Sequence, residues 1–260
     1  MSFFSLRNKV TIITGGSSGI GKAAAERFAQ AGATVVIASR SDATEFAHNI
    51  GATFIKTDVA VEDEVKNLIE RTVEKFGKID VLINNAGCYG RTVDITEREA
   101  DEFRRCFDVN TLGTLYGIKY AVPYMPRGSS IICTTSLVSI IGLPGYSDYT
   151  ASKWATSGLV RCATMELGPK GIRVNEICPT STNTPMLANQ DSANAEIALT
   201  TTAAAIDNFV QPEELAALMH FLAASDCPTL TGQQIAIDGG MTAGFSSANI
   251  EAILTAKGFT

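Results

Sequence analysis

Val10-Thr11-Ile12-Ile13-Thr14-Gly15-Gly16-Ser17-Ser18-Gly19-Ile20-Gly21 reads as a short β-rich run that breaks at once into glycines. Its apolar, β-branched start suits a strand. The residues after it predict a helix from Lys22 to Ala31, closed by Gly32. Strand, glycine turn and helix in that order make an anion site. The glycines allow a tight turn and close approach of a phosphate, and the helix N-terminus offers free N–H groups and a positive dipole end. A glycine-rich loop alone is weak evidence for a dinucleotide; its position between a strand and a helix strengthens it.

The same alternation continues along the chain. Thr34 to Ser39 is a second strand whose consecutive apolar residues suit burial on both faces of a parallel sheet. Thr53 to Val59, Asp80 to Asn84, Ser130 to Ser136, Ile172 to Ile177 and Gln233 to Ile237 read as further strands. Helices are expected over 61–76, as one long element over 96–121, after Tyr149 as far as Gly168-Pro169, and over 211–224. Asn110 lies inside the long one, where asparagine marks a bend or a polar network. Residues 186–208 are rich in Ala and Thr and weakly patterned, and are expected to form a mobile lid or substrate loop. This pattern predicts an α/β fold: a doubly wound parallel sheet in three α/β/α layers, a single domain with ligands at the C-terminal strand ends. The singled-out segments all fall at such ends: 14–21, 40, 58, 84–87, 136 and 179–184.

Composition narrows the function. With 260 residues, 45% of them hydrophobic and 18% charged, the chain describes a globular protein with a large core. A net charge of −6 argues against nucleic acid or an anionic membrane as the main partner. No apolar run approaches a membrane span, and Met1 to Arg7 lacks signal-peptide character. Six scattered cysteines without a C-x-x-C read as reduced thiols of a cytoplasmic protein. With two histidines, no His-based metal site is expected.

Tyr149-Thr150-Ala151-Ser152-Lys153 carries the chemistry. Tyr149 and Lys153 are four residues apart and share one helix face. A free phenol, with a pKa of about 10, is a poor acid or base near neutral pH, and a neighbouring ammonium favours its phenolate. An apolar stripe of Ala151, Trp154, Ala155, Leu159, Val160, Ala163, Met165 and Leu167 at roughly helical spacing supports a helix here. At the end of the second strand no acid stands where a carboxylate would read an NAD ribose. Ser39-Arg40 stand there instead, and an arginine fork suits a 2′-phosphate, so NADP(H) is preferred. Asp42 nearby leaves NAD(H) open. Asp58 has two roles open to it, at the adenine edge or capping the next helix.

With these residues placed, the chain resembles a short-chain dehydrogenase/reductase over about residues 6–244. The resemblance rests on Thr14-Gly15-x-x-x-Gly19-x-Gly21, Asn84-Asn85-Ala86-Gly87, Asn110, Ser136, Tyr149-x-x-x-Lys153, and Pro179 followed by Thr184. It implies a Rossmann-like domain over 1–244 with a C-terminal extension over 245–260. It also implies an NAD(P)(H)-dependent oxidoreductase that interconverts a secondary alcohol and a ketone. Tyr149 would be the general acid/base, Lys153 its cationic neighbour and ribose ligand, Ser136 the hydrogen-bond donor to the carbonyl oxygen, and Asn110 the holder of a water linking Lys153 to solvent. Gly15, Ser17, Ser18, Gly19, Ile20 and Gly21 would line the pyrophosphate and adjacent ribose, and Ser39 and Arg40 the adenosine ribose. Asp58 and Val59 would border adenine, and Asn85, Ala86 and Gly87 the cofactor's middle. Pro179, Thr180 and Thr184 would sit at the nicotinamide, with Tyr149 and Lys153. Ser136, Leu137, Tyr146, Tyr149 and Met186 would meet the substrate.

Thr180 departs from the glycine usual after that proline, and residues 245–260 run past the family's usual end; Ile250, Ile253 and Leu254 there are at helical spacing and suit packing on a neighbouring subunit or near a substrate mouth. The weakly polar set Leu137, Leu143, Tyr146, Cys88, Tyr89, Thr180 and Met186 favours an uncharged, cyclic or aromatic ketone. A 3-oxoacyl thioester reductase is the alternative and needs a basic mouth, for which Arg91, Arg98, Arg104 and Arg105 are candidates. A non-catalytic nucleotide sensor is the second alternative, and the complete set Asn110, Ser136, Tyr149 and Lys153 speaks against it. A homotetramer or homodimer is expected from the resemblance, through helices 96–121 and 149–168.

Overall fold

A computed structural model describes residues 3–190, 192–206 and 209–259. Seven strands form one parallel sheet: β1 (Val10–Thr14), β2 (Thr34–Ser39), β3 (Thr53–Lys56), β4 (Val81–Asn84), β5 (Ser130–Thr134), β6 (Arg173–Pro179) and β7 (Gln234–Ile237). Their spatial order is β3-β2-β1-β4-β5-β6-β7. The order reverses between β1 and β4, where a parallel sheet opens a crevice above its strand ends.

Strand residues alternate between two cores because successive side chains point to opposite faces. Ile13, Ile37, Ile83, Ile132 and Ile177 pack under α1 (Gly19–Gln30) and α9 (Pro212–Ala223), meeting Phe28, Leu215 and Met219. Ile12, Val36, Leu82, Ile131 and Val174 pack under α3 (Glu62–Phe76), α5 (Gly113–Ala121) and α6 (Ser147–Leu167). The expected doubly wound, three-layer architecture is what the chain adopts.

Several elements differ from expectation. The third strand ends at Lys56, so Asp58 and Val59 belong to the loop after it. The single helix over 96–121 is broken. A 3₁₀ turn at Ile95–Glu97 precedes α4 (Ala100–Cys106), a π-helical turn covers Phe107–Leu112, and α5 follows. The widened turn contains Asn110, and π-turns often mark functional positions. Thr44–Asn49 forms a short helix, α2, that the pattern did not suggest. The expected irregular lid over 186–208 instead contains α7 (Pro185–Ala188) and α8 (Ala193–Ala203); 191, 207 and 208 lie outside the described residues. The apolar stripe of α6 is buried only in part. Its first half buries polar residues (Asp148, Ser152, Lys153, Thr156, Ser157) and its second half buries Val160, Ala163 and Leu167, while Trp154 and Met165 are exposed. Hydrogen bonds to the π-turn, β5 and β6 hold the polar half, and core packing holds the apolar half.

Residues 246–259 are not a loose tail. Ser246 and Asn249 form a capping box that starts α10 (Ser247–Ala256). The Asn249 side chain donates to the Thr202 carbonyl, tying α10 to the end of α8.

Candidate active site

The crevice at the switch point is a cleft of about 850 Å³. One end is the glycine turn. Gly15 has φ +66° and its N–H donates to the Ala38 carbonyl at 2.8 Å, folding the turn over β2. A Cβ on Gly21 would collide with the Gly15 carbonyl oxygen and lie 2.7 Å from Asn85 Nδ2, so Gly21 supports the turn from beneath rather than lining the cleft. No side chain caps α1, leaving its first N–H groups facing a cleft lined by Ser17, Ser18, Gly19 and Ile20. That is a fitting cradle for a pyrophosphate.

Three strand ends are tied together beside it. Thr14 Oγ1 accepts from the N–H groups of Asn85 (3.0 Å) and Ala86 (3.1 Å). Asn85 Nδ2 donates to the Thr14 carbonyl at 3.1 Å, and Asn85 Oδ1 accepts from Thr134 Oγ1 at 3.2 Å. The β1, β4 and β5 ends are therefore one hydrogen-bonded unit. Lys153, reaching up from α6, donates through Nζ to the Thr134 carbonyl at 2.8 Å.

At the far end of β2, Arg40 and Ser41 line the cleft, and Ser39 Oγ donates to the Ser41 carbonyl at 2.7 Å. Arg40 is exposed and makes no ion pair among the described residues. Asp42 does not line the cleft; its Oδ1 accepts from Thr44 N (2.9 Å) and Thr44 Oγ1 (2.6 Å) at the start of α2. Asp58 lines the cleft while its Oδ1 accepts from Ala60 N at 3.0 Å, with Val59 beside it.

The other end brings Ser136, Tyr149 and Lys153 together with Leu137, Tyr146, Pro179, Thr180, Thr184 and Met186. Lys153 Nζ lies 5.5 Å from the Tyr149 ring centre. Tyr89 meets the Tyr149 ring edge-on at 5.9 Å and donates its hydroxyl to the Met186 carbonyl, bridging towards α7. Burial pushes the Tyr149 phenol above the ordinary tyrosine value, and its hydrogen bond with Ser136 opposes that. The net shift is upward despite the nearby Lys153, contrary to the expected lowering. Burial instead brings Lys153 down to about 8. Desolvation disfavours the charged form of both groups, and at this separation it outweighs their mutual effect.

Asn110 is buried and does not line the cleft. Its Oδ1 accepts from Cys88 N (2.9 Å), and its Nδ2 donates to the Cys88 carbonyl (2.8 Å) and Ser152 Oγ (2.8 Å). It thereby clamps the segment after β4 to α6. Its backbone carbonyl accepts from Thr114 and Thr156. A Cβ on Gly87 would fall 3.2 Å from Asn110 Oδ1 and 3.5 Å from Lys153 Nζ, so the glycine keeps the space between these two side chains open.

Sequence reasoning missed Glu196, which α8 places in the cleft, and the ion pair beneath Tyr149. There, Arg98 Nη1 lies 3.2 Å from Asp148 Oδ2, with side chains 4% and 1% exposed. Arg98 is accordingly no part of a basic mouth. Arg91 pairs with Glu102 and Arg104 with Asp101.

The Lys153 value has a measurable consequence. Its folded pKa, about 8, lies below its unfolded value of 10.5. Below pH 8 both states carry the proton and the burial penalty is fully present. Between 8 and 10.5 the unfolded chain holds more protons, so stability from this group rises with pH. Relative to Lys153→Met, the wild type is expected to gain about 2 kcal/mol between pH 8 and 9.5 in urea denaturation. A constant difference across that window would contradict the assignment.

Known proteins share this framework. The family model described as enoyl-(acyl carrier protein) reductase matches residues 15–242. Trans-4-hydroxycyclohexanecarboxylate dehydrogenase of Sinomonas cyclohexanicum is 36% identical over 250 residues, 91% of this chain and 93% of that protein. The 3-oxoacyl-[acyl-carrier-protein] reductase of Thermotoga maritima is 36% identical over 245 residues, 91% of this chain and 98% of that one. The crystal structure of levodione reductase superposes with a TM-score of 0.87 at 28% identity, covering 92% of this chain and 100% of that chain. With the parallel sheet, the uncapped glycine turn and the Ser136–Tyr149–Lys153 cluster in place, this chain belongs to the short-chain dehydrogenase/reductase family.

Proposed function

We propose that Tyr149 is the proton-transferring residue with which this oxidoreductase interconverts a secondary alcohol and a ketone. In reduction its hydroxyl gives a proton to the carbonyl oxygen; in oxidation it takes the proton of the alcohol. Ser136 donates a hydrogen bond to the same oxygen, where negative charge develops. The bound nicotinamide supplies the hydride in reduction and accepts it in oxidation. Lys153 holds the nicotinamide ribose, and the gap kept open by Gly87 beside Asn110 is the route by which a water returns protons to it. The observation that carries this reading is one cleft lined both by Ser136, Tyr149 and Lys153 and by the free N-terminus of α1.

NADP(H) is the preferred cofactor. Arg40 is unpaired among the described residues at the edge of the cleft, and Asp42 is turned away to Thr44. The 3-oxoacyl thioester alternative has little support from charge, because three of the four candidate arginines are matched by acids. The test is a panel of ketones and 3-oxoacyl thioesters run with NADPH and NADH. Arg40→Ala is expected to raise the KM for NADPH about tenfold or more and to leave NADH nearly unchanged. Equal effects on both would overturn the assignment, and turnover confined to thioesters would favour the alternative.

The protein is further proposed to be a cytoplasmic homotetramer or homodimer. Its six cysteines are free, and Trp154, Met165, Phe103 and Leu115 leave apolar surface on α6, α4 and α5. Removing residues 246–260 should change the oligomeric state in light scattering or the substrate KM, because α10 exposes Ile250, Ile253 and Leu254 while touching α8. No change in either would exclude a role for the extension.

A further inference from the structure

The substrate end of the cleft has apolar walls from Leu137, Leu143, Met186 and Leu199, with one carboxyl group among them, that of Glu196. It is not a stray surface acid. Its Oε1 accepts from Ser181 Oγ at 2.6 Å, and its Oε2 accepts from the Tyr146 hydroxyl at 2.9 Å. Thr200 donates to Ser181 Oγ at 2.9 Å and braces that contact from α8 itself. Both hydroxyl donors also line the cleft. A carboxylate has about four lone-pair sites, so one on each oxygen remains for a ligand. Glu196 forms no salt bridge with any described residue. Arg105 also lines the cleft, but it is exposed and its Nη2 donates to the Tyr89 carbonyl at 2.9 Å. The Glu196 charge is felt at Tyr89, Tyr146 and Tyr149, raising all three phenols. Glu196 and Tyr149 line the same cleft.

We propose that Glu196 determines substrate choice: the cleft takes ketones and alcohols with an apolar body and a further hydrogen-bond donor, a hydroxyl or an ammonium, and discriminates against carboxylates. This rests on the reading of Tyr149 given above. A donor completes the open lone pairs of Glu196. A carboxylate would meet a fixed like charge in a partly desolvated site, an arrangement that selects by repulsion as well as attraction.

Two ketones of similar size test this, 4-hydroxycyclohexanone and 4-oxocyclohexanecarboxylate, with wild type, E196Q and E196A. The wild type should favour the hydroxyketone in kcat/KM by about tenfold or more. E196Q and E196A should lose most of that ratio, mainly through a lower KM for the carboxylate. Thermal melting checks that each variant folds. An aminoketone with the same ring separates the two donor types: if the charge attracts, it should outrank the hydroxyketone in the wild type only. If ketones turn over and the ratio is the same in all three proteins, the selectivity role is wrong and the catalytic reading stands. If no ketone turns over, the catalytic reading fails. Calorimetric binding of trans-1,4-cyclohexanediol against cyclohexanecarboxylate to nucleotide-saturated protein then decides the role of Glu196. A diol preference that E196Q abolishes supports it; no preference, or no binding of either probe, overturns it.

Discussion

Tyr149→Phe is expected to lower kcat for ketone reduction by about 10³-fold, roughly 4 kcal/mol of barrier, the scale of a positioned general acid. The substitution removes one oxygen and leaves the ring where it is, edge-on to Tyr89 and above Lys153. Nucleotide affinity should hold, because the glycine turn, Arg40 and the Thr14–Asn85–Thr134 ties are untouched. A melting temperature near that of the wild type would separate lost chemistry from lost structure. A phenol is protonated near neutral pH and burial of Tyr149 reinforces that, which suits a proton donor. Oxidation, which needs the phenolate, should therefore gain from higher pH, while reduction should not. A variant that kept more than a tenth of the wild-type kcat would assign the proton to another group.

Asp148→Ala is expected to destabilise the fold by about 3 kcal/mol or more, read from urea denaturation, because it leaves a buried guanidinium without its main counter-charge. Asp148 Oδ2 lies 3.2 Å from Arg98 Nη1 and 3.4 Å from Cys106 Sγ. Arg98 Nη2 donates to the Gly145 carbonyl at 2.7 Å, so the pair pins the loop before α6 to the segment before α4. Glu102, 3.3 Å from the same Nη1, shares the charge and keeps the loss towards the lower end of the range for such pairs. The backbone at Gly90 closes directly over Asp148 Oδ2, with no room for a Cβ. Asp148 immediately precedes Tyr149, so kcat should fall as well. Replacing both partners by apolar residues should recover much of the stability, as burying an ion pair costs desolvation on both sides. A loss below about 1 kcal/mol for the single change would mean that Glu102 alone satisfies Arg98.

The parts legible in the sequence are those where chemistry restricts residue type. A phosphate at a helix N-terminus demands glycine at positions such as 15, with φ +66°, and 21, where a side chain would strike the turn. Consecutive β-branched residues reveal strands buried on both faces, and all seven were readable. The illegible parts depend on tertiary placement. The eleven residues of α8 spread Ala, Ile, Leu and Thr evenly around the helix and bury only Thr200, so no stripe announces them. Glu196 consequently looked like part of a loop. Asn110 signalled an irregularity, but not that the helix would widen into a π-turn to let its amide clamp Cys88 and Ser152. Arg98 looked like a surface charge because its partner Asp148 is distant in the chain. Trp154 and Met165 looked like part of the apolar stripe of α6, yet of that stripe Val160, Ala163 and Leu167 are buried, beyond a first half whose buried residues are polar.

The most direct measurement of the central claim is a single turnover of a cyclic ketone by wild-type protein loaded with NADPH that carries deuterium at the transferable position. Deuterium arriving at the new carbinol carbon, with no such transfer by Tyr149→Phe over the same interval, is the predicted result. Tight NADPH binding with no labelled alcohol from any ketone or 3-oxoacyl thioester would contradict it.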